Sequence, residues 1–168
     1  MGRARIRSFA PIADRHAQVL ILGSMPGRAS LEAGRYYAHR QNAFWRIVSE
    51  LLGIDPRAPY ARRVRALKAA RIAVWDVLQS CAREGSLDAS IERDTEVVND
   101  FAAFFRAHGK ISRVYFNGAK ADATFRRRVL PMLDARALRY SRLPSTSPAH
   151  ASASYARKRR AWRAILKT

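Results

Sequence analysis

Two loops hold most of the residues in this chain that could do chemistry. One follows the apolar run Val19-Leu20-Ile21-Leu22 and reads Gly23-Ser24-Met25-Pro26-Gly27, with Tyr36-Tyr37-Ala38-His39-Arg40-Gln41-Asn42-Ala43-Phe44-Trp45 soon after it. The other, Leu143-Pro144-Ser145-Thr146-Ser147-Pro148-Ala149-His150, is proline-stiffened and rich in hydroxyls. Each comes after an extended segment. Loops leaving the carboxyl ends of strands in a parallel α/β sheet converge on one rim, so residues about 120 apart in this sequence can line one crevice.

The elements that must hold these loops are legible as short β-branched or aromatic runs between turn residues. Strands are expected at Val19 to Leu22, Ile72 to Val77, Arg113 to Phe116 and Ala137 to Leu143. Between them, Phe44, Val48, Leu51 and Leu52 share one helical face, and Val97, Phe101, Phe104 and Phe105 share another. Gly53 and Gly109 are expected as C-terminal stops. Further helices read from Tyr60 to Ala70, Ala121 to Met132 and Tyr155 to Lys167. The alternating order implies a three-layer α/β/α sandwich around a central four-stranded, mainly parallel sheet. Residues 1–168 read as one domain, and 1–17 as a frayed basic N-terminal arm.

At 168 residues and 48% hydrophobic, the chain can bury one full core. With 32 Lys plus Arg against 13 Asp plus Glu, the net charge is +19. Such a surface suits a polyanion, and nucleic acid is the leading partner, although an arginine-rich proteome would raise the charge without any partner. The arginines are spread along the chain, which argues for a charged face on a folded body. Cys81 stands alone, which excludes an internal disulfide and a four-thiolate cluster, and it is expected as a small buried residue. His16, His39, His108 and His150 lack zinc-site spacing, so no metal and no cofactor are expected. No apolar stretch approaches ~20 residues, and the Arg-rich start has no signal-peptide core. A soluble, intracellular (cytoplasmic, DNA-associated) monomer is expected.

Taken together, Gly-Ser-Met-Pro-Gly, Tyr-Tyr-Ala-His…Asn…Phe-Trp and Leu-Pro-Ser-Thr-Ser-Pro-Ala-His resemble the uracil-DNA glycosylase superfamily, and most closely its hypoxanthine-DNA (deoxyinosine) branch. Ala73-Val74-Trp75-Asp76-Val77-Leu78 through Gly85-Ser86-Leu87-Asp88, and Val114-Tyr115-Phe116-Asn117-Gly118, match in order and spacing. The resemblance covers roughly residues 8–165. It implies a monofunctional, cofactor-free enzyme that flips a deaminated base out of DNA and hydrolyses its N-glycosidic bond, as in base-excision repair.

That chemistry sets demands the sequence can be asked to meet. Flipping costs a few kcal/mol of stacking and pairing, so the flanking phosphates must be gripped and the base given an aromatic wall. By resemblance Gly23, Pro26 and Gly27 with Ser145, Ser147, Pro148, Ala149 and His150 contact the DNA. Tyr37, twelve residues after Met25, is the expected stacking residue, or else an ordinary packed loop tyrosine. Cleavage passes through an oxocarbenium-like sugar, which requires a positioned water and stabilisation of the departing base. Met25 stands where relatives carry Asp or Asn, and it can do neither. Asn42 is the best substitute, with His39 the runner-up for the water; Asn42 is equally placed to cap the helix that follows. Asn117 could read O6 and N1–H of hypoxanthine through its amide, or could merely shape the Asn-Gly turn. Ser24, Trp75, Asp76 and Cys81 are candidate pocket walls. The second loop is expected to insert a side chain into the vacated stack, yet Ala149 is too small to fill a base-sized gap and His150 is polar. It could also cap the last helix through Ser147 or Ser152.

Two other readings stay open: a uracil-preferring glycosylase, and a nucleic-acid-binding member of the fold that has lost catalysis. A phosphate-ester or nucleotide hydrolase is disfavoured, because no carboxylate cluster accompanies the loops to hold Mg²⁺.

Overall fold

The structure is a computed structural model that describes residues 4–134 and 137–167. Four strands, β2 (Val19–Gly23), β3 (Ile72–Asp76), β6 (Arg113–Asn117) and β7 (Arg139–Leu143), form a sheet in the order β3-β2-β6-β7. Every pairing in it is parallel. β2 and β3 are buried along their whole length because both faces are covered, whereas the edge strand β7, Arg-Tyr-Ser-Arg-Leu, is largely exposed. Side chains alternate between the two faces, which gives two cores. Val19, Ile21, Ile72 and Val74 pack on one side with Phe44, Ile47 and Val48 of α2 (Phe44–Leu52), Leu67 of α3 (Tyr60–Ala69) and Trp162 of α6 (Tyr155–Trp162). Leu20, Leu22, Ala73, Trp75, Val114 and Phe116 pack on the other with Phe101, Phe104 and Phe105 of α4 (Phe101–Ala107) and Phe125 of α5 (Ala119–Arg128). The architecture is therefore the expected three layers. Gly53 closes α2 in the left-handed conformation, φ 71°.

Several local expectations are corrected. A second, antiparallel sheet orders β1 (Arg5–Arg7), β4 (Leu78–Ala82) and β5 (Val97–Val98) as β1-β4-β5. The arm expected to fray is held from residue 5 onward: β1 pairs with β4, and Ile12 bridges Val74. Val97 belongs to β5, and α4 starts only at Phe101, capped by Asp100 Oδ1, which accepts from Ala103 N at 3.0 Å. His108 caps the end of α4, so Gly109 lies beyond the stop. The short helix α1 (Arg28–Ala33) follows the first loop, where no helix was expected. Ser154, not Ser147 or Ser152, caps α6 by accepting from Arg157 N at 3.2 Å.

Candidate active site

The carboxyl ends of β2, β3, β6 and β7 open on one cavity of about 610 Å³, large enough to take a purine. The structure brings together all the residues proposed from sequence for catalysis, base contact and DNA contact: Gly23, Ser24, Met25, Pro26, Gly27, Tyr37, His39, Asn42, Asp76, Asn117, Ser145, Ser147, Pro148, Ala149 and His150 all line it. Two suggested wall residues do not. Trp75 points into the α4 core, 5.0 Å from Phe101 and 4.8 Å from Phe104 between ring centroids. Cys81 is fully buried behind Met25, beside Leu78 and Ile91, as its composition suggested for a small core residue.

Asp76 forms the deepest polar element of the site. It ends β3 opposite Gly23 and is 3% exposed. Its main-chain carbonyl accepts from Asn99 Nδ2 at 2.8 Å, which fixes the strand end. Among the described residues its Oδ2 has no hydrogen-bond partner, an expensive state for an ionised carboxylate. Burial, reinforced by the nearby negative charge of Asp88 and only partly offset by Arg83, pushes the carboxyl up to about 7. Gly23 exists to make room for it. A Cβ at that position would lie 2.5 Å from Asp76 Oδ1 and 3.1 Å from Tyr37 Oη.

Tyr37 adopts φ 54°, a left-handed conformation that non-glycine residues take at a cost and that clusters at functional sites. Phe44 stacks on it at 3.9 Å, so a buried ring backs the one that lines the cavity. Burial raises its hydroxyl well above the ordinary phenol range.

Asn117 is where the geometry departs most from expectation. Its Oδ1 accepts from Thr146 N at 2.9 Å, which fixes the amide's orientation. Its Nδ2 donates to Thr146 Oγ1 at 2.9 Å and to Tyr37 Oη at 3.2 Å. An amide has two donor protons, and both are committed within the protein. Asn117 therefore clamps the end of β6 to the second loop, and reading O6 of a base would require breaking one of these bonds. The glycine after it is required: Gly118 has φ 94°, and a Cβ there would meet Ser145 Cβ at 3.0 Å.

Thr146, which sequence reasoning passed over between its two serine neighbours, is the hub of this clamp. It is 1% exposed, and besides Asn117 its carbonyl accepts from Ala43 N at 3.0 Å. The second loop is thereby tied to β6 and to the segment carrying Asn42. The N-cap of α2 is Ala43 and not Asn42; from one residue earlier Asn42 still helps start the helix, its Oδ1 accepting from Phe44 N at 3.0 Å, while it lines the cavity. His39 Nδ1 accepts from Gln41 N at 3.1 Å, leaving Nε2 as the ring's outward nitrogen. Ser24 Oγ donates to Asp88 Oδ1 at 2.6 Å; Asp88 also lines the cavity and was not singled out from sequence.

No group of three or more His, Cys, Asp or Glu side chains gathers among the described residues to hold a metal ion. No helix among them is long and apolar enough to cross a membrane.

A parallel α/β sheet whose strand ends open on a cavity with an aromatic wall and a few buried polar groups, carried on a chain of net charge +19, suits a protein that takes a nucleobase from nucleic acid. The family model of the uracil DNA glycosylase superfamily matches residues 10–166, and the chain belongs to that superfamily. It is 33% identical over 162 residues to a hypoxanthine DNA glycosylase of Methanosarcina acetivorans, covering 96% of this chain and 98% of that protein. Over 116 residues it is 36% identical to a hypoxanthine DNA glycosylase of Methanosarcina barkeri, covering 68% and 72% of the two chains. A solution NMR structure from M. acetivorans, described as a candidate uracil DNA glycosylase, superposes with a TM-score of 0.78 at 29% identity, covering 98% of this chain and 100% of that one.

Proposed function

We propose that this protein is a monofunctional DNA glycosylase that removes hypoxanthine from deoxyinosine in DNA by hydrolysis, acting inside the cell as a monomer and without a cofactor. Family membership and the two relatives named for hypoxanthine support the reaction and the substrate class. The observation that carries the base assignment is Asp76, a buried carboxyl with an unpartnered oxygen lining a purine-sized cavity. In its neutral form a carboxylic acid offers one donor and one acceptor. Its O–H can donate to O6 of hypoxanthine while its C=O accepts from N1–H. Ionised, it would set a lone pair against O6 and repel the negative charge that grows on the departing base, so the neutral acid both reads the base and eases its departure.

The rest of the cavity fits this reading. The purine stacks on Tyr37, which Phe44 supports from behind. Asn42 keeps its amide NH₂ and one lone pair of Oδ1 to orient the attacking water, with His39 Nε2 near enough in sequence to assist. Loops 23–27 and 145–150 grip the flanking phosphates. Uracil carries the same donor and acceptor pair on a smaller ring, so deoxyuridine is a second substrate of the same arrangement.

The test is incubation with duplexes carrying inosine, uracil, xanthine or only normal bases, in EDTA, followed by alkali to cleave abasic sites. Inosine strands should be cut at the lesion with chelator present. A protein that leaves every modified duplex intact is the non-catalytic DNA-binding member of the fold. A requirement for divalent ion would exclude the cofactor-free reaction.

A further inference from the structure

An emptied position in a base stack must be filled, or the flipped nucleotide returns to it. Proteins that hold DNA open use an apolar side chain for this purpose. Residues 145–150 of the second loop offer no apolar side chain as long as leucine. Ala149 is small, the ring of Pro148 stops at Cγ, and His150 is polar, with Nε2 3.2 Å from Ser152 Oγ.

Residues 84–90, of which 86–89 line the same cavity, form a stretch in which every residue is exposed. It is nonetheless fastened at several points. Arg83, only 7% exposed, donates from Nε to Gly85 O at 2.9 Å and from Nη2 to Pro26 O at 2.6 Å. Ser86 Oγ accepts from Arg28 N at 2.9 Å, and Ser24 Oγ donates to Asp88 Oδ1 at 2.6 Å. The stretch therefore rides rigidly on the Gly23–Gly27 loop. At its apex stands Leu87, 55% exposed. Other large apolar side chains are exposed at Val97, Met132 and Leu166, yet none of these lines the cavity, whereas Leu87 does. A single exposed leucine is ordinary on a protein surface. One that lines the cavity on a stretch fastened by a buried arginine, where residues 145–150 offer no apolar side chain of its length, is not.

We propose that Leu87 is the wedge that enters the DNA stack as the target nucleotide leaves it. This rests on the glycosylase reading above. The residue has no part in bond cleavage; it opposes the return of the base to the helix.

A wedge matters only where there is a stack to hold open, and that separates it from a pocket residue. Single-turnover excision of inosine is compared for the parent, Leu87→Ala and Leu87→Met, in a duplex and in a single strand of the same sequence. Fluorescence of a 2-aminopurine beside the lesion reports unstacking during binding. Leu87→Ala should lose about tenfold or more on the duplex, Leu87→Met should regain most of it, and the 2-aminopurine signal should fall in the alanine variant. Single-strand excision should stay within about twofold. Equal loss on both substrates, or duplex excision and fluorescence like the parent's, would overturn the assignment. Failure of the parent protein to cut inosine DNA at all would count against the glycosylase reading and not against Leu87.

Discussion

At the scale of single residues, Asp76 carries a consequence that pH should expose. Its folded-state acidity sits near 7 while an unfolded aspartate titrates near 3.9, so the folded protein holds that proton more tightly. The stabilisation is complete below the unfolded value and is lost as pH rises through the folded one. Asp76→Asn, which cannot ionise, should gain stability over the parent between about pH 4 and 7, by at most about 1.4 kcal/mol per pH unit, as read by urea unfolding. The catalytic expectation runs parallel. Parent single-turnover excision of inosine should decline above about pH 7, and Asp76→Asn, whose amide keeps one donor and one acceptor, should excise with a flat alkaline limb. An alkaline limb that stays unchanged in Asp76→Asn would remove the neutral-acid reading.

Asn42 invites a sharper separation, because it both starts a helix and lines the cavity. Loss of the bond to Phe44 N should cost ~1 kcal/mol. Loss of a group that orients water should cost ~10²-fold in single-turnover cleavage, with little change in affinity for the damaged duplex. Asn42→Ala is expected to show both, whereas Asn42→Ser should recover stability alone. Recovery of full turnover by serine would leave Asn42 a helix-starting residue only.

At the scale of elements, the clamp between β6 and the second loop makes a distinct forecast. Thr146→Val keeps the shape but removes the Oγ1 that receives Asn117 Nδ2. One half-buried amide proton loses its protein partner, at ~1 kcal/mol of stability. Excision should fall as the loop loses its register, while nonspecific DNA binding persists. A variant as stable and as active as the parent would show that Tyr37 Oη and Thr146 N suffice to hold the amide.

The same scale shows what the sequence could convey. β2, β3 and β6 were legible as short apolar or aromatic runs, and β7, Arg-Tyr-Ser-Arg-Leu, from its place before the proline-stiffened loop and not from apolar content. β1, β4 and β5 were not. β1 alternates arginine around Ile6 on an exposed edge, β5 has two residues, and the chain passes from β3 into β4 at Val77 with no glycine or proline to mark the break. The members of the site were legible as loop residues, but their partners were not. Asn117 meets Thr146 across 29 positions, and Ser24 meets Asp88 across 64. Local spacing carries no trace of either pairing, and so an amide that looked free to read a base proves to be occupied.

For the whole molecule, charge and packing act together. Part of the cationic surface is turned inward: the fully buried carboxylate of Glu96 pairs with Lys120, with Arg127 at 3.0 Å and with Arg128 at 3.4 Å, fastening α5 to the second sheet. The remaining excess faces solvent. Binding to undamaged duplex should therefore weaken steeply with salt, each neutralised phosphate adding about −0.9 to the log–log slope. A flat salt dependence, measured by fluorescence anisotropy, would mean that the +19 charge does not serve DNA binding.

The Ala43–Thr146–Asn117–Tyr37 chain of hydrogen bonds joins loops from both ends of the sequence through groups of the protein itself. A receptor held together by its own bonds has little closing left to do, so the timing of the reaction passes to the substrate. Excision should quicken as the lesion's partner holds it less firmly, with inosine opposite thymine released faster than inosine opposite cytosine. Free hypoxanthine should also occupy the resting protein and compete with the lesion. A protein that ignored the free base would be one that takes shape only around its DNA.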